Sequence, residues 1–350
     1  MTNVSVDDRR LDAPYAGAHW QENAFVIDMQ ALEAFGCVAT GVVDGTVRLR
    51  LLGKPETELC APIAAHKNGL TGLVIAPSGK SFISIGEDGR VLRILPDGTV
   101  QQLLHIEKAW LEQIAVHADA GLIAVSYKKT IIVFDEQGKV RAEFNNHPST
   151  VQGICFDAKG KRVAASHYGG VSLWWVNGDA TQVPQRLNWK GSHLSIAWSP
   201  NGKFLLSSMQ ENTLHGWRTP DFADFQMSGY AIKPKSFGWS HDNRWLASSG
   251  SPGIICWDCG GKGPMGKPAT VLAQDCEDIT TRVACHPLLD LVAAGTLGGD
   301  VYMARFQDDR IVRLKTDTKS EITTLRWSDN GQTLLGGCED GAAYAWSFSD

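Results

Sequence analysis

Short apolar segments alternate with polar, glycine-containing turns along the whole chain. Residues 72–77 and 82–86 form one such pair, and a Ser-Gly-Lys turn lies between them. The second segment of each pair begins with large apolar side chains and ends with Ala, Ser or Gly. Segments of this length, bounded by turn residues, are typical of buried β-strands and are too short for ordinary helices. The pattern therefore predicts strands joined by tight turns.

A third apolar segment follows each pair after a tight turn and ends at a site that is often occupied by tryptophan. The residue five positions before this site falls at 45, 89, 129, 169, 212, 252, 299 and 341. Successive copies are therefore 40 to 47 residues apart, close to the ~40–45 residues of a four-stranded propeller blade. A fourth, more polar segment in each copy predicts the outer strand.

The repeat predicts an all-β protein that forms one domain over residues 1–350, a single closed β-propeller. Eight four-stranded blades are the favoured number and seven are the alternative. Inner strands covered on both faces explain the continuous apolar runs, and narrow space near the axis explains their small last residues. The predicted repeats are 22–65, 66–107, 108–147, 148–190, 191–230, 231–274, 275–317 and 318–350.

The last repeat ends at its third strand, so its outer strand must come from elsewhere. The N-terminal segment 4–20 precedes the first inner strand and has no partner of its own. We expect it to pair with the last repeat and supply that outer strand. Such pairing removes two open sheet edges, which otherwise invite aggregation.

Composition and charge narrow the classes of function. The chain has 33 Lys and Arg against 38 Asp and Glu, a net charge of −5, without long blocks of one sign. A general nucleic-acid binder needs a basic face, so no nucleic-acid partner is expected. No apolar run approaches the ~18 residues of a membrane span, so no membrane partner is expected either. Without an export signal the eight cysteines are expected to be reduced, and the location cytoplasmic.

Tryptophan and turn residues carry a resemblance to a known family. Trp257 and Asp258 form a Trp-Asp pair at the end of a third strand. Asp-Gly turns precede third strands at 44–45, 88–89 and 340–341. With these residues the chain resembles the WD40-repeat β-propeller family over essentially its whole length. Several repeats depart from the family pattern, so packing rather than a shared polar network is expected to hold them.

The resemblance implies roles for particular residues. His66 corresponds to the family's histidine before a first strand, and it implies a hydrogen-bonded network with Ser84 and Asp88. Aromatic residues at the ends of third strands are expected to fill the wider space between blades. These structural residues are Trp174, Trp217, Trp257 and Trp346.

In WD40 proteins the usual docking face is the rim formed by two sets of loops, those from fourth to first strands and those from second to third strands. On this rim a basic and aromatic sector is predicted, and tyrosine, tryptophan and cations are favoured at interface centres. The candidate binding residues are Trp110, Tyr127, Lys128, Tyr168, Trp189, Lys190, Lys233 and Lys235. We therefore predict a non-catalytic scaffold that binds an acidic or mixed-charge peptide or domain of another protein, without a cofactor.

The alternative is a propeller that binds a small ligand or metal, or is hydrolytic, with its chemistry at the channel mouth. His117 and His286 occupy corresponding sites at the ends of first strands. Cys256 and Cys259 have the C-x-x-C spacing of a zinc or redox site. Zinc requires four ligands in tetrahedral geometry, and no second C-x-x-C pair follows. Turn histidines and core cysteines are therefore the favoured interpretation.

Overall fold

The computed structural model describes residues 15–178, 181–308 and 310–348, and these residues form strands and turns almost throughout. The only helical element within them is a short 3-10 turn at Glu33–Phe35. No helix in this described part of the chain has the length and apolar character needed to cross a membrane. The all-β prediction is confirmed.

The described residues contain thirty-one strands. The first seventeen are β1 (Tyr15–Gln21), β2 (Val26–Leu32), β3 (Cys37–Val42), β4 (Thr46–Leu51), β5 (Lys54–Glu58), β6 (Ile63–Ala64), β7 (Leu70–Ile75), β8 (Phe82–Gly86), β9 (Arg90–Ile94), β10 (Val100–His105), β11 (Gln113–His117), β12 (Leu122–Tyr127), β13 (Thr130–Asp135), β14 (Val140–Phe144), β15 (Gly153–Phe156), β16 (Arg162–Trp175) and β17 (Gln185–Trp198). The others are β18 (Phe204–Met209), β19 (Thr213–Arg218), β20 (Ala223–Met227), β21 (Phe237–Trp239), β22 (Trp245–Ser248), β23 (Ile254–Asp258), β24 (Thr270–Leu272), β25 (Thr280–Cys285), β26 (Leu291–Thr296), β27 (Val301–Arg305), β28 (Ile311–Leu314), β29 (Ile322–Trp327), β30 (Thr333–Cys338) and β31 (Ala342–Phe348).

The chain divides into two compact units. Unit 1 comprises the described residues within 1–42, 50–58 and 230–350, and unit 2 comprises 43–49 and 59–229. Unit 1 contains the antiparallel sheets β1-β31-β30-β29, β21-β22-β23-β24 and β25-β26-β27-β28. Unit 2 contains β10-β9-β8-β7, β11-β12-β13-β14 and a six-stranded sheet, β15 to β20 in order. The boundary falls within β4 of the sheet β2-β3-β4-β5.

The fold is a β-propeller, and its strands form seven sheets among the described residues, which matches the alternative count of seven blades. The favoured count of eight equals the number of sequence repeats. The two counts differ because the six-stranded sheet takes in two repeats, 148–190 and 191–230. Its strands β16 and β17 have 14 residues each, and each runs through two segments that the sequence pattern separates. The repeat boundaries stay a prediction.

A bulge marks the place where β16 passes from the second-strand segment of its repeat to the third-strand segment. The register of β16 with β17 shifts between Tyr168 and Gly170. Gly170 has φ of +137°, and a Cβ there would collide with the carbonyl oxygen of Leu187. Glycine is therefore required at this position, because it alone allows both the backbone angle and the close approach.

The two ends of the described chain pair with each other. β1 runs antiparallel to β31, with register from Tyr15 opposite Phe348 to Gln21 opposite Ala342. This confirms that the N-terminal segment supplies the outer strand of the last repeat. Residues 4–14 of the predicted segment lie outside the described residues.

The four predicted structural tryptophans are all buried. Trp174 stacks on Phe144 with ring centroids 4.8 Å apart, and Trp346 stacks on Tyr344 at 5.3 Å. Each buried indole removes about 150–250 Å² from water, so these residues contribute strongly to the core of their repeats.

Candidate functional site

A buried polar network fixes the loop before β7 to the strands that follow it. His66 Nδ1 donates to Asp88 Oδ1 at 2.9 Å, and His66 Nε2 accepts from Ser84 Oγ at 3.0 Å. Asp88 also accepts from the backbone N–H of Lys67 and from Arg90 Nε. Burial alone would raise the pKa of Asp88, but the hydrogen bonds from His66 and Arg90 outweigh it and hold the pKa well below its usual range. The structure thus brings together the three residues that the resemblance implied.

Other repeats fix the corresponding loop with different chemistry. In one, Trp257 Nε1 donates to Tyr230 Oη at 2.8 Å, and Tyr230 Oη lies 2.7 Å from Ser248 Oγ. In another, buried Glu22 accepts from Arg50 Nε at 3.3 Å. Sequence reasoning missed these residues because a phenol or a carboxylate does not resemble the family's histidine. The only sequence signal for Tyr230 and Glu22 is their position a few residues before a first strand.

Among the candidate residues of unit 2, Trp110 and Lys128 lie in loops, whereas Tyr127 ends β12, Tyr168 lies in β16, and Trp189 and Lys190 lie in β17. Hydrogen bonds tie Lys128 and Tyr168 to neighbouring segments. The backbone N–H of Lys128 donates to Glu112 Oε1 at 3.2 Å, and Lys128 O accepts from Val151 N at 2.7 Å. The N–H of Tyr168 donates to Ser149 Oγ at 2.9 Å. We call this surface the unit 2 rim sector, and its residues are Trp110, Tyr127, Lys128, Tyr168, Trp189 and Lys190.

The side chains of the unit 2 rim sector differ in exposure. Trp110 and Tyr168 are each 57% exposed, which is unusual for such large aromatic groups. Tyr127 is half-buried against a hydrophobic core cluster. Trp189 is also half-buried, because its ring stacks on that of His215 at 4.1 Å. Trp110 and Tyr168 are therefore the side chains that a partner can cover most readily.

The candidate lysines also fall into two groups. Lys128 and Lys190 belong to unit 2 and are exposed. Lys233 and Lys235 belong to unit 1. Lys235 Nζ lies 2.6 Å from Glu321 Oε1, so an internal carboxylate already balances its charge.

Four histidines lie buried in the repeats that carry the unit 2 rim sector: His147, His167, His193 and His215. His147 Nδ1 donates to Lys129 O at 2.7 Å, which leaves Nε2 to accept from Trp174 Nε1 at 3.0 Å. Burial lowers the pKa of His147 to about 4. Burial likewise lowers the pKa of His215, whose ring packs between Trp189 and Trp217, to about 4. These imidazoles are therefore neutral at pH 7.

The histidines of the alternative hypothesis stabilise turns. His286 is buried, donates from Nε2 to Gly331 O at 3.0 Å, and accepts at Nδ1 from Leu289 N at 2.9 Å. His117 Nδ1 accepts from Ala120 N at 3.1 Å. Each thus serves a structural role: His117 stabilises a turn of its own repeat, and His286 also links its turn to the turn at Gly331 of the next repeat.

The C-x-x-C pair is buried and its sulfurs are free thiols. Burial raises the pKa of Cys259 to about 12 and raises that of Cys256 well above its usual value. Such thiols carry little thiolate, the form that binds metal. Within residues 15–178, 181–308 and 310–348, no group of three or more His, Cys, Asp or Glu side chains is arranged to hold a metal ion.

Antiparallel sheets repeated along the chain, with polar tethers that fix their loops, define a repeat-built β-propeller. Comparison with known families agrees with this class. Residues 188–218 match the model described as WD domain, G-beta repeat, and residues 283–349 match that of the anaphase-promoting complex subunit 4 WD40 domain. These matches cover parts of the chain and support a divergent WD40-repeat propeller family.

Curated relatives share low identity with this chain. Echinoderm microtubule-associated protein-like 1 of Rattus norvegicus is 23% identical over 218 residues, 54% of this chain and 25% of that protein. Protein hir1 of Schizosaccharomyces pombe is 22% identical over 60% of this chain and 22% of its own length. Apoptotic protease-activating factor 1 of Danio rerio is 25% identical over 66% of this chain and 18% of its own length. The chain thus spans about a quarter or less of these relatives.

Solved structures agree on the fold. The computationally designed Ika8 protein superposes with a TM-score of 0.75 and 18% identity, covering 94% of this chain and 98% of that one. The RRP9 WD40 repeats superpose with a TM-score of 0.60 and 15% identity, covering 80% of this chain and 94% of that one. At these identities the likeness is one of fold alone.

Proposed function

We propose that this chain is a non-catalytic scaffold that binds a peptide or domain of another protein through the unit 2 rim sector. WD40 propellers are generally protein-interaction scaffolds, which supports the class of function. The observation that carries the choice of surface is the pair of open aromatic side chains, Trp110 and Tyr168. Aromatic groups of this kind supply most of the binding energy when a partner buries them.

The hydrogen bonds around Lys128 and Tyr168 favour binding without rearrangement. The backbone N–H groups of Lys128, in a loop, and Tyr168, in β16, donate to Glu112 and Ser149. A surface that is already ordered loses little conformational freedom on association, so more of the contact energy appears as affinity.

The exposed lysines favour a partner that carries carboxylates. Lys128 and Lys190 are exposed and directly follow Tyr127 and Trp189 in the sequence, and exposed charges of this kind mainly steer encounter and choice of partner. The net charge of −5 supports a protein partner over nucleic acid.

Trp110→Ala is expected to weaken the cognate complex by about 2 kcal/mol, a loss of roughly thirtyfold in affinity, because the proposal makes this exposed indole a binding hot spot. Tagged wild-type and variant chains would be purified from the native cell, and co-purified proteins quantified by mass spectrometry. A partner that wild type retains would then be titrated against both purified chains.

Trp175→Ala provides the matched control. Trp175 belongs to the same unit and is 55% exposed, but it lies at the C-terminal end of β16, under the guanidinium of Arg162. The variant should bind as wild type does. Equal affinity of the wild-type and Trp110→Ala chains, with a loss in Trp175→Ala, would refute the proposed surface.

A further inference from the structure

Three inner-strand residues of unit 1 occupy the same place in their repeats. Asp28, Arg282 and Thr324 each follow a register shift in a first strand. Each pairs with a glycine of the second strand, namely Gly41, Gly295 and Gly337. The three positions are therefore structurally equivalent.

Hydrogen bonds place these residues side by side. Arg282 Nε donates to the carbonyl oxygen of Thr323 in β29. On the other side of β29, Thr324 Oγ1 donates to Asp28 Oδ1 at 3.0 Å. Arg326 stands two residues after Thr324 and so projects from the same face of the strand. Strands β25, β29 and β2 thus form one wall that carries Arg282, Arg326 and Asp28 together.

Both carboxylates on this wall are already bound. Asp28 accepts two hydrogen bonds from Arg326, at 2.7 Å from Nε and 2.9 Å from Nη2. Glu321 pairs with Lys235 at 2.6 Å. Arg282 instead donates to backbone carbonyl groups, from Nε to Thr323 and from Nη1 to Thr281.

The wall consequently has one more cation than it has anions. Among the described residues, no carboxylate forms an ion pair with Arg282, and its Nη2 donates to no protein acceptor. Burial lowers the pKa of Arg282 in spite of the opposing charges of Glu321 and Asp28, and the charge of Arg326 adds to the lowering. Guanidinium groups nevertheless stay protonated in proteins, and a partly desolvated charge without a counter-ion is costly.

We propose that Arg282 and Arg326 form a carboxylate-binding site on the inner-strand wall of unit 1. One carboxylate supplies the single negative charge that the wall lacks, and it accepts from Arg282 Nη2 and Arg326 Nη1. The planar fork of a guanidinium matches the geometry of a carboxylate. The Arg326 side chain is 49% exposed, so solvent and ligand reach the site from its side.

The carboxylate has two possible sources, a small free acid or an acidic side chain of a peptide. Both present the same group to the two arginines. The site lies in unit 1 and does not depend on the unit 2 rim sector. An experiment can therefore refute the carboxylate site without refuting the proposed docking surface, and the reverse.

The test is a titration of the full chain, labelled at the arginine side chains, followed by NMR. The probes are sodium acetate and a capped peptide with one aspartate, each compared with sodium chloride at equal ionic strength. We expect the Nε resonances of Arg282 and Arg326 to shift and saturate with carboxylate but not with chloride. Tighter binding of the peptide than of acetate identifies a peptide source, and equal or weaker binding identifies a small acid.

Arg282→Gln should weaken carboxylate binding about tenfold or more, because the uncompensated charge is lost. Arg313→Gln is the control, since Arg313 is an exposed residue of outer strand β28 in the same unit. If Arg282→Gln fails to fold, Arg282→Lys retains the charge but loses the fork, and it should weaken binding about fivefold. A wild-type chain that shows no saturable shift, or a folded Arg282 variant that binds as tightly as wild type, would overturn the site.

Discussion

Acidification from pH 7 to pH 4 is expected to destabilise unit 2 by roughly 3 kcal/mol for each of two buried histidines, His147 and His215. Burial lowers the pKa of both side chains to about 4. A proton on His147 Nε2 would face the N–H of Trp174, which donates to that nitrogen in the neutral state. The folded state therefore binds a proton at these histidines less tightly than the unfolded chain does.

The sign and the pH window follow from these values. An unfolded histidine titrates near pH 6.5, so between about pH 6.5 and 4 the unfolded chain binds more protons and stability falls as pH falls. The nearby charges of His167 and Arg186 also oppose protonation of His147. Around His215, His193 opposes protonation and Asp224 favours it.

Urea unfolding of the wild-type chain at several pH values would measure this loss. The His147→Gln variant can donate to Lys129 O and accept from Trp174 without titrating, so its stability should depend less steeply on pH. His241→Gln, at an exposed position, should keep the wild-type slope. If His147→Gln and wild type lost stability in parallel over this range, His147 would not be the group responsible.

Trp346→Ala is expected to cost unit 1 about 3–5 kcal/mol of stability. Trp346 is 1% exposed, and its ring stacks on Tyr344. Its Nε1 also donates to Lys315 O at 3.3 Å, a bond that alanine cannot replace. Gly336 and Gly17 approach the indole closely, so the surrounding backbone is fitted to this ring. The neighbouring groups would therefore not collapse fully into the cavity that alanine leaves.

Chemical denaturation followed by circular dichroism would check this value. Trp346→Phe should lose less than Trp346→Ala, because part of the ring is kept. Trp175→Ala, which removes an exposed indole, should cost no more than about 1 kcal/mol. A loss below that level in Trp346→Ala would show that the third-strand tryptophan does not anchor its repeat.

The strands could be predicted because their sequence signals are local. The pairing of the chain ends could be predicted by counting the strands of each repeat. Segments such as 82–86 are short, apolar and bounded by turn glycines, which excludes helices. The last repeat ends at its third strand, so β1 was the remaining segment that could pair with β31.

The merging of two repeats into one sheet could not be predicted in the same way. Gly169 and Gly170 resemble an ordinary hairpin turn in the sequence, and both have positive φ. Only the register of β16 with β17 shows that the strands continue through a bulge. Such continuation depends on partners across the sheet and leaves no local sequence signal.

The exposure of the candidate binding residues could not be predicted from the sequence. The repeat pattern predicts Trp110 and Trp189 alike as rim residues, yet Trp110 is exposed and Trp189 stacks on His215. Contacts between repeats decide such differences. The wall around Arg282 was missed for the same reason, since Asp28 and Arg326 meet across 298 positions of sequence.

Photo-crosslinking shows where a partner touches this chain. A benzophenone amino acid would replace Tyr168, Lys190 or, as the control, Trp175 in the chain expressed in its native cell. We predict covalent adducts with a partner protein from positions 168 and 190 and none from position 175. Adducts with the partner from position 175, with none from the other two, would contradict the unit 2 rim sector as the docking surface.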